Sequence, residues 1–223
     1  MFLGHFGAGF AGPAVSRRPS LGTMFIAAQF IDLLWPLLLL FGIERVAIDP
    51  ANTAVTPLHF EYYPWSHSGL MVLVWGLLFG LVYFALRRNL RASLLLAALV
   101  VSHWLLDLLV HAPDLPLAPG SSILVGLGAW NTPLLTYALE FGIFGAGVWY
   151  YSRATIAKAA AGTIALSSLV VFLLLIYVIN LFGPPPPDVN MIGWVGLSQW
   201  LLVAWAYWVD HTREYRHQRT SVD

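Results

Sequence analysis

Six runs of about twenty almost wholly apolar residues, at 21–43, 67–86, 92–111, 134–151, 162–182 and 192–209, dominate this chain. A run of that length matches the hydrocarbon core of a bilayer, about 30 Å thick at about 1.5 Å per helical residue. In lipid every backbone N–H and C=O must bond within its own segment, so such runs become helices. Composition agrees. Of 223 residues 59% are hydrophobic and only 10% charged, whereas soluble domains carry about 25% charged residues. The expected fold is all-α, a polytopic transmembrane helix bundle with six full spans. Residues 1–16 form a further apolar stretch, too short to cross. Its Gly4, Ala8 and Gly12 recur every fourth residue, a spacing that lets helices approach closely. That predicts a buried, half-spanning helix at the N-terminal end. No repeat of fixed period is present, so the chain reads as one integral-membrane domain over residues 1–219 with a short tail, 220–223.

The basic residues orient the spans. Arg17 and Arg18, then Arg87, Arg88 and Arg91, then Arg153 and Lys158, then Arg213, Arg216 and Arg219 all fall on one side, and Arg45 alone on the other. The positive-inside rule makes the crowded side cytoplasmic, with both termini there. Arg17 and Arg18 follow their apolar run rather than preceding it, which is not the order of a signal peptide. A formal net charge of zero argues against a nucleic-acid partner. With no cysteine, disulfides and thiolate sites are excluded, and any metal must sit on His, Asp or Glu.

Against this background the third run is anomalous. It carries His103, Asp107 and His111, each four residues after the last. On a helix each step of four overshoots a full turn by about 40°, so the three point roughly one way. Ionisable groups inside a span are costly unless paired, hydrated or bound to a cation. Imidazole and carboxylate are good ligands for Zn²⁺ and related ions. Depth widens the candidate set. From Ser16 to His5, Leu21 to Asp32, Ala92 to His103 and Tyr151 to Glu140 is eleven residues in each case, about 16 Å and so near the midplane. His67 and His111 fall near the outer surface. The candidate ligands are His5, Asp32, His67, His103, Asp107 and His111. Asp32 or Glu140 would serve as the proton-accepting carboxylate, and Glu140 has a second possible role in orienting a ligand histidine.

Taken together these residues resemble the bacterial inner-membrane proteins known as membrane-bound metal-dependent hydrolases. The family pattern runs from a His near the N-terminus, through an Asp-bearing first span and a His-Ser turn, to Ser-His-x-x-x-Asp. The matches are His5, Asp32 in Gln29-Phe30-Ile31-Asp32, His67 in Trp65-Ser66-His67-Ser68, and Ser102-His103 with Asp107. The resemblance covers about residues 1–145 and has departures. Phe30 stands where the family has an Asp, and Tyr62-Tyr63 where it has His-Arg. The order of ligands is also faintly similar to zinc-dependent phospholipase C.

The resemblance implies a divalent metal, most simply zinc, in a bacterial cytoplasmic-membrane enzyme. The expected reaction is hydrolysis of a lipid or lipid-like ester or phosphoester by a metal-activated water, the substrate entering from the outer leaflet. An intramembrane amidase of the ceramidase kind is a variant within enzymes. The alternative from another class is a protein that binds or passes a metal ion or proton through the same His/Asp cluster.

Overall fold

A computed structural model describes residues 1–216; His217, Arg219 and the tail 220–223 lie outside the described residues. The chain is 68% helical. In order it forms α1 (Leu3–Ala11), α2 (Leu21–Ala28), α3 (Phe30–Leu40), β1 (Arg45–Ile48), β2 (Leu58–Tyr62), α4 (Pro64–His67), α5 (Gly69–Arg87) and α6 (Leu90–Val110). There follow β3 (Leu115–Pro116), β4 (Leu124–Val125), α7 (Pro133–Ala154), β5 (Thr155–Ala157), α8 (Ala160–Phe182), α9 (Val189–Leu197), α10 (Gln199–Thr212) and β6 (Arg213–Tyr215).

Among the described residues four helical segments are long and apolar enough to cross a membrane: α5, α6, α8, and α9 with α10 counted together as Val189–Thr212. α2 and α3 make a fifth if their pair, bent by 55°, is one broken span. The expectation of six full spans is therefore corrected to four, or five. The difference lies in α7. Its 22 residues are long enough, but Tyr137, Glu140, Arg153 and three glycines dilute its apolar character. The outward faces of α5 and α8 carry Leu73, Leu77, Leu81, Val171, Leu175 and Ile179, all exposed. That is a surface suited to lipid and not to water.

α1 is short, as expected, and seven of its nine residues are buried. Its closest crossing is with α7. A side chain added at Gly7 would meet the backbone of Ile143 and Phe144, and one at Gly147 would meet the backbone of Gly7. The glycines that let the two backbones touch are therefore Gly7 and Gly147. Gly4 and Gly12 instead accommodate the side chains of Met1 and Met24.

The stretch 44–66, expected as a polar loop, contains an antiparallel hairpin in which Val46 faces Phe60 and Ala47 faces His59. The alternation Leu58-His59-Phe60-Glu61-Tyr62 is the period-two pattern of a half-buried strand. At the opposite end of the bundle β5 pairs with β6, and Arg17 Nη1 donates to the Arg216 carbonyl at 3.1 Å. Arg17, Arg18 and Arg91 line one hollow there with Asn89 and Tyr150. Arg17, Arg18, Arg91 and Arg216, all assigned to one side by sequence, thus gather at one end.

Candidate metal centre

Five of the six predicted ligands converge from four helices. α6 supplies His103 and Asp107 one turn apart, both buried. α3 supplies Asp32 in its first turn, α4 supplies His67 as its last residue, and α1 supplies His5. His103 Nε2 lies 3.2 Å from Asp107 Oδ2 and 3.5 Å from Asp32 Oδ1. His67 Nε2 lies 3.5 Å from Asp32 Oδ1 and 3.9 Å from Asp107 Oδ2. His5 Nε2 lies 3.1 Å from Asp107 Oδ1, and its ring stacks on that of His103 at 3.6 Å and 5°. The Met1 amino group is 2.5 Å from Asp107 Oδ1. Two overlapping triads result, His5/His103/Asp107 and Asp32/His67/His103, each with its ligand atoms within 4.8 Å of one another.

Local structure explains why these groups meet. The break at Gln29 leaves carbonyls of the last turn of α2 without the donors of a continuous helix. One of them, that of Ala28, accepts from His103 Nδ1 at 2.8 Å. This bond commits the Nδ1 proton and leaves the lone pair of a neutral imidazole on Nε2. Pro36 has no N–H to offer the Asp32 carbonyl four residues earlier, and Gln199 Nε2 of α10 approaches that carbonyl at 3.5 Å. The first N–H groups of α1 have no partner within their helix. Glu140 accepts those of Phe2 and Gly4 at 2.8 Å each. Glu140 thereby docks the helix that carries His5, and each of its oxygens already accepts a backbone N–H.

His111 is not brought to the centre. Its Nδ1 bonds Asp114 Oδ1 at 2.9 Å, the Tyr63 hydroxyl donates to the same oxygen at 2.9 Å, and the ring lies against Trp130. Eight residues from His103 the helix has rotated by about 80°, enough to turn His111 out of the ligand face. Burial pushes its imidazole below the ordinary range and the Tyr63 phenol far above its own. The expectation that His111 is a ligand is corrected accordingly. Three residues that the sequence reading left out contribute. Ala28 supplies a carbonyl, Asp114 holds His111, and Glu44 is buried against Ser66 beside His67. Their partners lie 75, 3 and 22 residues away. Only the Asp114 pairing has a local signal, the His-x-x-Asp spacing of 111 and 114.

The donor set suits a hard-to-borderline divalent ion. Nitrogen and carboxylate oxygen are zinc ligands, and no Lys or Arg side chain pairs with Asp32 or Asp107 among the described residues. The buried His103 Nε2 has no hydrogen-bond partner. A lone pair held between two carboxylates is repelled by both unless a proton or a metal cation lies between them. Asp32, whose side chain is 22% exposed, is the least enclosed member. Fold and site together define a helical protein of membrane type with a buried His/Asp cluster able to hold a metal ion. Comparison of the chain with protein-family models, with curated proteins and with solved structures finds no match.

Proposed function

We propose that this chain is a membrane-embedded, metal-dependent hydrolase of a bacterial cytoplasmic membrane, acting on a lipid or lipid-like ester or phosphoester. The observation that carries the reading is His103. Its Nδ1 is committed to Ala28 and its Nε2 is bare, buried and flanked by Asp32 and Asp107. His5, His67, His103, Asp32 and Asp107 would hold the ion, zinc being the simplest choice. The ion would supply Lewis acidity, polarising the carbonyl or phosphoryl oxygen of the group under attack and making water a better nucleophile. Of the two carboxylates considered as proton acceptor, Asp32 fits, through the oxygen that it does not give to the ion, because both Glu140 oxygens already accept backbone N–H groups. Its partial exposure supports this choice, since a proton acceptor must be reached by water. The gathering of Arg17, Arg91 and Arg216 at one end supports a cytoplasmic placement for that end.

One feature favours ion carriage instead. The broken α2–α3 segment beside the cluster is of the kind found at transporter midplane sites. A single set of measurements separates the two. Purified protein should contain metal, His103→Ala and Asp107→Ala should each lose most of it, and headgroup or acyl chain should be released from a panel of outer-leaflet lipids in a metal-dependent way. Full metal with no turnover on any lipid, together with metal-dependent ion or proton flux in liposomes, would move the protein to the transport class. Stoichiometric metal surviving both substitutions would remove the metal centre altogether.

A further inference from the structure

We propose that Glu44, acting through the Ser66 hydroxyl, sets the tautomer of His67 and so aims its Nε2 at the centre, a positioning role that rests on the metal-site reading above. Glu44 lies just beyond α3 and is 1% exposed. Its Oε1 accepts the backbone N–H groups of Trp65 and Ser66 at 2.8 and 2.9 Å. Its Oε2 receives the Ser66 hydroxyl at 2.6 Å. The same Ser66 Oγ lies 2.7 Å from His67 Nδ1.

Proton counting gives the direction of the chain. An ionised carboxylate only accepts, so the single hydroxyl proton of Ser66 goes to Glu44. Ser66 Oγ then has only lone pairs to offer His67, so Nδ1 carries the proton. A neutral imidazole has one N–H, which leaves the lone pair on Nε2, the nitrogen that faces Asp32 and Asp107. The result is the same tautomer that Ala28 imposes on His103, reached by a different route. Carboxylate or carbonyl partners on the far nitrogen are the usual means of orienting a ligand histidine. Ser66 itself is fully buried, with its hydroxyl committed on both sides, so it serves as a relay and not as a nucleophile.

The alternative is that Glu44 only pins the first turn of α4 through the Trp65 and Ser66 N–H groups, and Glu44→Gln separates the two. The amide oxygen can keep the backbone N–H groups, but its NH₂ now donates to Ser66. The hydroxyl proton, released from Glu44, then goes to His67 Nδ1 at 2.7 Å in preference to the Tyr63 carbonyl at 3.5 Å, and the ring proton moves to Nε2. The experiment uses full-length protein in detergent micelles with ¹⁵N-labelled histidine, metal-free, with the His67 signals assigned by His67→Gln. Zinc affinity is measured in parallel by chelator competition. Wild-type protein should show Nδ1 protonated and Nε2 bare. Glu44→Gln should invert this and weaken zinc binding about 10- to 100-fold. Glu44→Asp, which keeps an acceptor-only group, should retain the wild-type tautomer. The proposal fails if wild-type His67 carries a proton on Nε2, or if Glu44→Gln leaves tautomer and affinity unchanged, or if Glu44→Asp inverts the ring as well. Should the wild type bind no zinc while Glu44→Gln still inverts the ring, the relay stands and the metal-site reading is what fails.

Discussion

Asp32 and Glu140 are both carboxylates set at the same depth by residue counting, yet their surroundings give them different work. Asp32 stands beside two imidazole nitrogens and is partly exposed. Glu140 is buried and spends both oxygens on the start of α1. Their amides should therefore fail differently. Asp32→Asn should lose metal while keeping its melting temperature in metal-free buffer. Glu140→Gln turns a donor toward Phe2 or Gly4, a conflict worth about 1–3 kcal/mol, and should lower the melting temperature even without metal. Equal melting of the two metal-free variants would overturn this division. At this scale the sequence was readable where chemistry is local. His103 and Asp107 are one turn apart on one helix, so their convergence follows from helical geometry alone. His111 shows the limit of that rule, because the small error per turn accumulates to about 80° by the second step. Glu44 was not readable, since its partner lies 22 residues on and nothing near it marks the contact.

Helix α1 delivers His5 only because α7 lets it in. The backbones touch at Gly7 and Gly147, where no side chain fits. Gly147→Leu should push α1 outward at a cost of about 1–3 kcal/mol, and it should lower metal content although the residue touches no ligand. Retained metal with normal stability would show that the crossing is dispensable. The α2–α3 break plays a comparable part, since it frees the carbonyl that fixes His103 and starts α3 so that Asp32 lies in its first turn. Pro36 is not what bends this segment, since it lies inside α3 and the bend falls seven residues earlier at Gln29. The β1–β2 hairpin is legible in the alternation around Phe60, although the polar residues of the stretch alone are equally those of a loop.

As a whole the bundle is tied together at the cluster, where α1, α3, α4 and α6 each contribute a ligand. An ion bound there stabilises the folded state alone, by about 2.7 kcal/mol when present at a hundredfold excess over its dissociation constant. A chelator should therefore lower the melting temperature of wild-type protein and leave that of His103→Ala unchanged; equal shifts in both would place the metal elsewhere. Orientation has its own test. Arg91 and Ala118 flank opposite ends of α6, so reporter fusions should read cytoplasmic after Arg91 and external after Ala118, and the reverse result would invert the proposed topology. The amino-acid sequence by itself determined the helical, membrane-type class, because apolar runs of bilayer length have few other solutions. It also determined which ionisable residues stand out, because a charge in such a run is conspicuous. Only the tertiary structure decided the number of apolar spans, the exclusion of His111, the docking role of Glu140 and the Glu44–Ser66–His67 chain. Each of these depends on how separate helices turn and break against one another, and hydrophobic periodicity, which fixes what a segment buries, does not say which partner it meets.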